Sequence, residues 1–190
     1  MTFNCMIAGV GGQGTVLASK LIAAAAMKCG YSVRTTETIG MAQRGGSVVS
    51  HVRIGDSIFS PLIPLNSADA LIAFEPAEAV RQLAFSRRDK TVVLVCDSAI
   101  KPAVGLDTDA YEAAAMIDYL KANTRKLVVI DGRQIMAHNA KTLNVALLGA
   151  AAKSNIFPFD AETLKEVLTE TLPERFWEMN LKAFELGQKI

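Results

Sequence analysis

The chain has 190 residues, enough for one hydrophobic core and too few for two ordinary domains, so one domain over residues 1–190 is expected. Hydrophobic residues make up 51% of it, mean hydropathy is +0.26, and Lys+Arg 20 against Asp+Glu 19 leaves a charge of +1. With no basic excess and no basic run, a nucleic-acid surface or steering to a membrane is not expected.

Met1 to Met6 lack the cationic start of a secretory signal, and the apolar run Leu21 to Met27 is far short of the ~20 residues that a membrane span needs. A cytoplasmic protein is expected. Cys5, Cys29 and Cys96 form no Cys-x-x-Cys pair, so no disulfide framework, zinc site or iron–sulfur site is expected, and each reads as a small buried hydrophobe.

Phe3 to Ala8 reads as a buried strand that ends at glycines. From Thr15 the apolar residues Val16, Leu17, Leu21, Ile22 and Ala25 fall on a helical stripe, and Gly30 stops it. Tyr31 to Thr35 reads as a second strand. Ser47 to Ile54 alternates, Gly55-Asp56 offers a turn, and Ser57 to Ser60 reads as the short return strand of an inserted hairpin. Asp69 to Phe74 and Thr91 to Cys96 read as buried strands, with Pro76 opening a helix to Ala84 between them. A helix over 109–121, a strand over 127–130, a helix over 139–153 and two closing helices near 161–171 and 173–186 complete the pattern. Strands alternating with helices predict an α/β fold: a mostly parallel, Rossmann-like open sheet with helices on both faces and an inserted β-hairpin.

The turn Gly9-Val10-Gly11-Gly12-Gln13-Gly14 carries the chemistry. A strand entering a helix through glycines aims several backbone N–H groups one way, and the positive helix end adds to them, so the turn suits a phosphate or another anion. Gly9 allows the bend, Gly11 lets backbone approach a ligand, Gly14 lets helix and strand pack, Gly12 adds a bare position, and Gln13 and Thr15 offer side-chain hydrogen bonds at the mouth. A nicotinamide site also wants an acid on the second strand, and Glu37 falls past that strand, in the following loop. The glycines could also serve packing alone.

The stretch "ETIGMAQRGGSVVSHVR" is more distinctive. Gly40, Gly45 and Gly46 make a pliable loop around Arg44, whose planar fork suits phosphate or carboxylate; Glu37 could instead hold Arg44 in place. His51 and Arg53 share a strand face toward solvent or a partner chain, and Arg53 could pair with Asp56. His138 reads as a helix-start or packing residue.

Together, Gly9 to Gly14, Glu37 to Gly46, the Ser50-His51-Val52-Arg53 strand, "IPLNSADALIAFEPAEAVR" and "NVALLGAAA" resemble the γ-type domain of 2-oxoacid:ferredoxin oxidoreductases. As a separate chain, the likeness is to the β-type subunit of the indolepyruvate branch. The resemblance implies an accessory subunit, inactive alone, that completes the site of a larger catalytic subunit. That partner would carry thiamine diphosphate, Mg and 4Fe–4S clusters, pass electrons to ferredoxin and release an acyl-coenzyme A. It further implies coenzyme A as the candidate ligand of Gly9, Gly11, Gly12, Gln13, Gly14, Thr15, Arg44, Gly45 and Gly46. Glu37, Gly40, Met41, Gln43 and His51 would face the partner or order the loop. No catalytic residue and no metal ligand is expected here. Two other classes remain open: a stand-alone nicotinamide nucleotide reductase and a non-catalytic assembly module. An isolated chain should expose an apolar patch and self-associate through it, with Phe176, Trp177, Met179 and Phe184 as candidates.

Overall fold

The apolar run Thr2–Val10 forms β1, the strand from which the fold spreads in both directions. The computed structural model describes residues 2–40, 45–100 and 111–190. Among them the further strands are β2 (Ser32–Ile39), β3 (Ser47–Gly55), β4 (Ala70–Ala73), β5 (Val92–Cys96) and β6 (Lys126–Ile130). The helices are α1 (Thr15–Lys28), α2 (Pro76–Arg81), α3 (Ala113–Asn123), α4 (Gly132–Asn139), α5 (Leu143–Lys153), α6 (Ala161–Thr171) and α7 (Trp177–Lys189). The strand order is β2-β3-β1-β4-β5-β6; β1, β4, β5 and β6 are parallel, and β3 runs antiparallel to both its neighbours.

Period-2 alternation sorts the strands into two cores. Cys5, Ile7, Ile72 and Leu94 face α1, α5, α6 and α7, meeting Leu21, Ile22, Leu147, Leu164 and Phe184. Met6, Ala8, Leu71, Ala73, Val93 and Val95 face the other way, meeting Ala79 of α2 and Ile117 and Leu120 of α3. The mostly parallel open sheet with helices on both faces is therefore present.

The inserted hairpin is not the expected one. Its arms are β2 and β3, joined across 40–46, and Ser57 to Ser60 form no strand. Arg53 explains this: its Nε donates to Asn4 Oδ1 (2.9 Å) and its Nη1 to the carbonyls of Ser60 (2.9 Å) and Leu62 (3.2 Å), folding the segment back over the sheet. Pro61 and Pro64 also deny it ladder donors. Ile58 and Ile63 are buried there, while Phe59 is 96% exposed.

Smaller differences have local causes. Cys29 is exposed at the end of α1, unlike Cys5 and Cys96. Residues 132–139 form α4 because Asp131 caps them, Oδ1 accepting from the N–H groups of Arg133 (2.9 Å) and Gln134 (3.2 Å). His138 therefore lies inside α4 and is exposed, and a 3-10 turn over Ala140–Thr142 splits the single helix expected from 139. The helix expected from 109 begins at Ala113 with Ile117 and Leu120 inward; residues 101–110 lie outside the described ones. Of the aromatic residues near the end, Phe184 is core, whereas Phe176 and Trp177 are exposed. Among the described residues, no helix is long and apolar enough to cross a membrane.

Candidate functional site

The helix after β1 and the helix after β4 leave on opposite faces of the sheet. β1 and β4 are parallel neighbours, so a crevice opens between their carboxyl ends, the usual place for a ligand in an open α/β sheet. The glycine turn occupies that crevice.

Gly11 and Gly12 are exposed, and Gly12 has φ +96° with open space where a side chain would go. Gly9 is packed: a Cβ there would lie 2.7 Å from Gln13 Oε1 and 2.8 Å from Thr15 Cγ2. The Gln13 side chain turns inward rather than to the mouth. Its Oε1 accepts from the Val10 N–H (2.8 Å) and its Nε2 donates to the Phe74 carbonyl (3.1 Å), clasping the turn to the end of β4. Thr15 is also buried. What this turn presents is backbone. Helix α1 begins at Gly14 with no side-chain cap and no acid in its first turn, so its first N–H groups keep their positive field.

The second glycine loop is brought to the first. Strand β3 pairs with β1 from Val10↔Ser47 downward, and the Gly11 N–H donates to the Gly46 carbonyl (2.9 Å). That amide is committed to the second loop and is not free for a ligand. The loop is closed by the Gly40 N–H on the Ser47 carbonyl (2.8 Å), and Gly45 has φ +70°. Met41, Gln43 and Arg44 lie outside the described residues.

Glu37 is on β2, not in the loop, and its Oε1 accepts from Ser19 Oγ of α1 (3.2 Å). Because β3 stands between β1 and β2, Glu37 is two strand spacings from β1, roughly 10 Å. A dinucleotide site needs its ribose acid on the strand beside the glycine turn, so that arrangement is lost. His51 does not face solvent or a partner. It is buried, its Nδ1 accepts from the Ile63 N–H (3.2 Å), its ring meets Phe85 edge-on (centroids 5.6 Å apart), and burial lowers its pKa. It ties the segment after β3 to the sheet.

Three further side chains join the crevice that the glycine patterns did not indicate. Glu75 ends β4 and caps α2, its Oε2 accepting from the Glu78 N–H (3.0 Å). Its Oε1 is buried with no hydrogen-bond partner, and desolvation raises its pKa. Glu78, only 3% exposed, accepts a 2.6 Å hydrogen bond from Ser47 Oγ and lies 3.6 Å from Arg81 Nε. Asn144 at the start of α5 is buried beside Gly14, where a Cβ would meet its Nδ2 at 2.5 Å. A signal for Glu75 existed in "FEPAE": an acid between the end of an apolar strand and a proline at N1 is placed to cap. No local pattern marks the pairing of Ser47 with Glu78.

The crevice offers bare N–H groups, a helix dipole and two carboxyl groups underneath, a setting for an anion held by backbone. Among the described residues, no group of three or more His, Cys, Asp or Glu is gathered as a metal ion requires. A separate open cleft of about 580 Å³ lies between α4 and α7, with Arg175, Lys182 and Glu178 on its wall, away from the glycine loops.

Residues 4–190 match the family described as pyruvate ferredoxin/flavodoxin oxidoreductase. The sequence is 40% identical over 190 residues to indolepyruvate oxidoreductase subunit IorB of Archaeoglobus fulgidus, covering 98% of this chain and 94% of the relative. Among solved structures, the keto/oxoacid ferredoxin oxidoreductase gamma subunit from Geobacter sulfurreducens superposes with a TM-score of 0.73 at 22% identity, over 100% of this chain and 95% of that one. The 2-oxoglutarate:ferredoxin oxidoreductase from Magnetococcus marinus, with 2-oxoglutarate, coenzyme A and succinyl-CoA bound, superposes with a TM-score of 0.71 at 21% identity, over 99% of this chain and 30% of that one. Both share the fold.

Proposed function

We propose, because the chain belongs to the pyruvate ferredoxin/flavodoxin oxidoreductase family, that it is the small, site-completing subunit of a 2-oxoacid:ferredoxin oxidoreductase acting on indolepyruvate or a similar aryl 2-oxoacid. On this reading all 190 residues act as one cytoplasmic docking unit. A larger subunit would hold thiamine diphosphate with Mg, the chemistry for decarboxylating an oxoacid, and 4Fe–4S clusters, the chemistry for passing electrons toward ferredoxin. This chain supplies the wall at which the acyl acceptor, coenzyme A, is held.

The observation that carries the reading is the Gly11 N–H···O Gly46 bond, 2.9 Å, which joins both glycine loops over the crevice. The N–H groups of Gly12, Gly14 and Thr15 and the positive end of α1 would hold a phosphate of coenzyme A, the Gln13 N–H being taken by the Val10 carbonyl (3.1 Å), and Arg44 of the second loop would add its guanidinium. Gly9, Gln13 and the side chain of Thr15 would shape the turn, and Glu37, Gly40, Met41 and Gln43 would form the arm that meets the larger subunit.

The test is reconstitution. Coenzyme A-dependent oxidation of indolepyruvate with reduction of ferredoxin is expected only when this chain is mixed with the thiamine-bearing subunit. Full turnover by that subunit alone, or NADH oxidation by this chain alone, would contradict the proposal. In the complex, Arg44→Ala is expected to raise the KM for coenzyme A by about tenfold, the usual worth of one charge-assisted phosphate contact. Wild-type KM together with wild-type assembly would remove Arg44 from the site.

A further inference from the structure

The hydrogen bonds around the crevice close into a ring. From Phe74, whose carbonyl takes the Gln13 amide, the chain leads to Glu75, whose carboxyl takes the Glu78 N–H. Glu78 takes the Ser47 hydroxyl at 2.6 Å, Ser47 follows Gly46, and Gly46 takes the Gly11 N–H. Gln13, two residues on, returns to Phe74. Three loops separated by dozens of residues are thus fastened to one another. Ser47–Glu78 is the side-chain link that connects the hairpin loop to α2 directly.

A carboxylate only 3% exposed beneath an anion-binding rim is an electrostatic cost, since it repels the ligand the rim attracts. Among the described residues its ion pair is with Arg81, whose side chain is 58% exposed and whose Nε is 3.6 Å away. What the carboxylate provides is a strong acceptor for Ser47 Oγ, one residue from the carbonyl that orients the Gly11 peptide.

We infer that Glu78 is a positioning residue: by holding Ser47 it fixes Gly46 against Gly11, and so aims the remaining N–H groups of the glycine turn at the phosphate of the acyl acceptor. The inference rests on the assignment of coenzyme A to this crevice and adds the group that sets its geometry. Glu78 touches no ligand.

Two readouts test it, one of them independent of activity. In the full chain, amide hydrogen exchange at Gly11 is expected to quicken by about tenfold in Ser47→Ala and in Glu78→Ala, with core amides such as Leu94 unchanged. Glu78→Gln keeps an acceptor for Ser47 and is expected to retain the protection. In the reconstituted complex, Ser47→Ala and Glu78→Ala are expected to raise the KM for coenzyme A by about fivefold with kcat nearly unchanged, and the double variant to be no worse than either single one. Glu78→Gln, which removes the repelling charge, is expected to match or lower the wild-type KM. Unchanged Gly11 exchange in Ser47→Ala, which deletes a single oxygen and keeps the fold, overturns the inference, as does additive loss in the double variant. If Gly12→Ala raises the KM and Ser47→Ala does not, only the positioning role fails. If neither does, the coenzyme A assignment fails and the inference falls with it.

Discussion

Glycines do opposite work in two parts of this molecule. Where α5 crosses α7, Gly149 and Gly187 leave no room: a Cβ on Gly149 would collide with the Phe184 carbonyl, and one on Gly187 with the Ala146 carbonyl. At the crevice, Gly12 and Gly45 have positive φ and nothing within 4 Å of where a Cβ would stand. The first pair lets two helix backbones touch; the second leaves backbone bare toward whatever approaches. Both count alike among the 13 glycines of the chain. The crossing is built for stability, and the rim keeps polar groups that stability alone would not keep, the partnerless Glu75 Oε1 among them.

The largest effect is expected at the crossing. Gly187→Val must push α7 off α5 and is expected to cost about 3 kcal/mol or more, read as a lower midpoint in a denaturant melt. A Gly187→Val chain that melts with the wild type would erase the distinction.

A smaller effect of opposite sign is expected at the rim. Burial raises the pKa of Glu75, so the folded chain holds that proton more tightly than the unfolded chain does. The stability it contributes is complete below the ordinary glutamate value, about 4.3, and is lost as pH rises through the folded value. Glu75→Gln cannot ionise, so its melting temperature is expected to pull ahead of wild type as pH climbs, by about 2–4 °C for each kcal/mol relieved. A gap that stays constant from acid to neutral pH would show that the carboxyl is not the strained element.

Much of this was legible in the residues, and the boundary has a physical cause. Apolar runs such as Val92–Cys96 and the glycine-to-helix junction at Gly14–Thr15 are local signals, and they gave the strands, the helices and the turn. Which strand lies beside β1 is decided by pairing between distant residues. Val10↔Ser47 and Ile39↔Val48 place β3 between β1 and β2, and with that Glu37 moves out of reach of the turn. The return strand expected at Ser57–Ser60 failed because Arg53 bonds carbonyls seven and nine residues on, a contact no alternation shows. Ser47 and Glu78 are 31 residues apart and read separately as a loop serine and a helix acid.

Gly12 and Gly30 give the most direct test of the central claim. Both have positive φ (96° and 84°) and open space at Cβ, but Gly30 ends α1, at the far end of the helix from the crevice. Alanine at either position should carry a similar backbone strain, about 1 kcal/mol. In the reconstituted complex, Gly12→Ala is expected to raise the KM for coenzyme A several-fold, roughly 1 kcal/mol of lost contact, while Gly30→Ala leaves it at the wild-type value. Equal KM values for the two variants would mean that the bare backbone at the crevice does not hold the acyl acceptor.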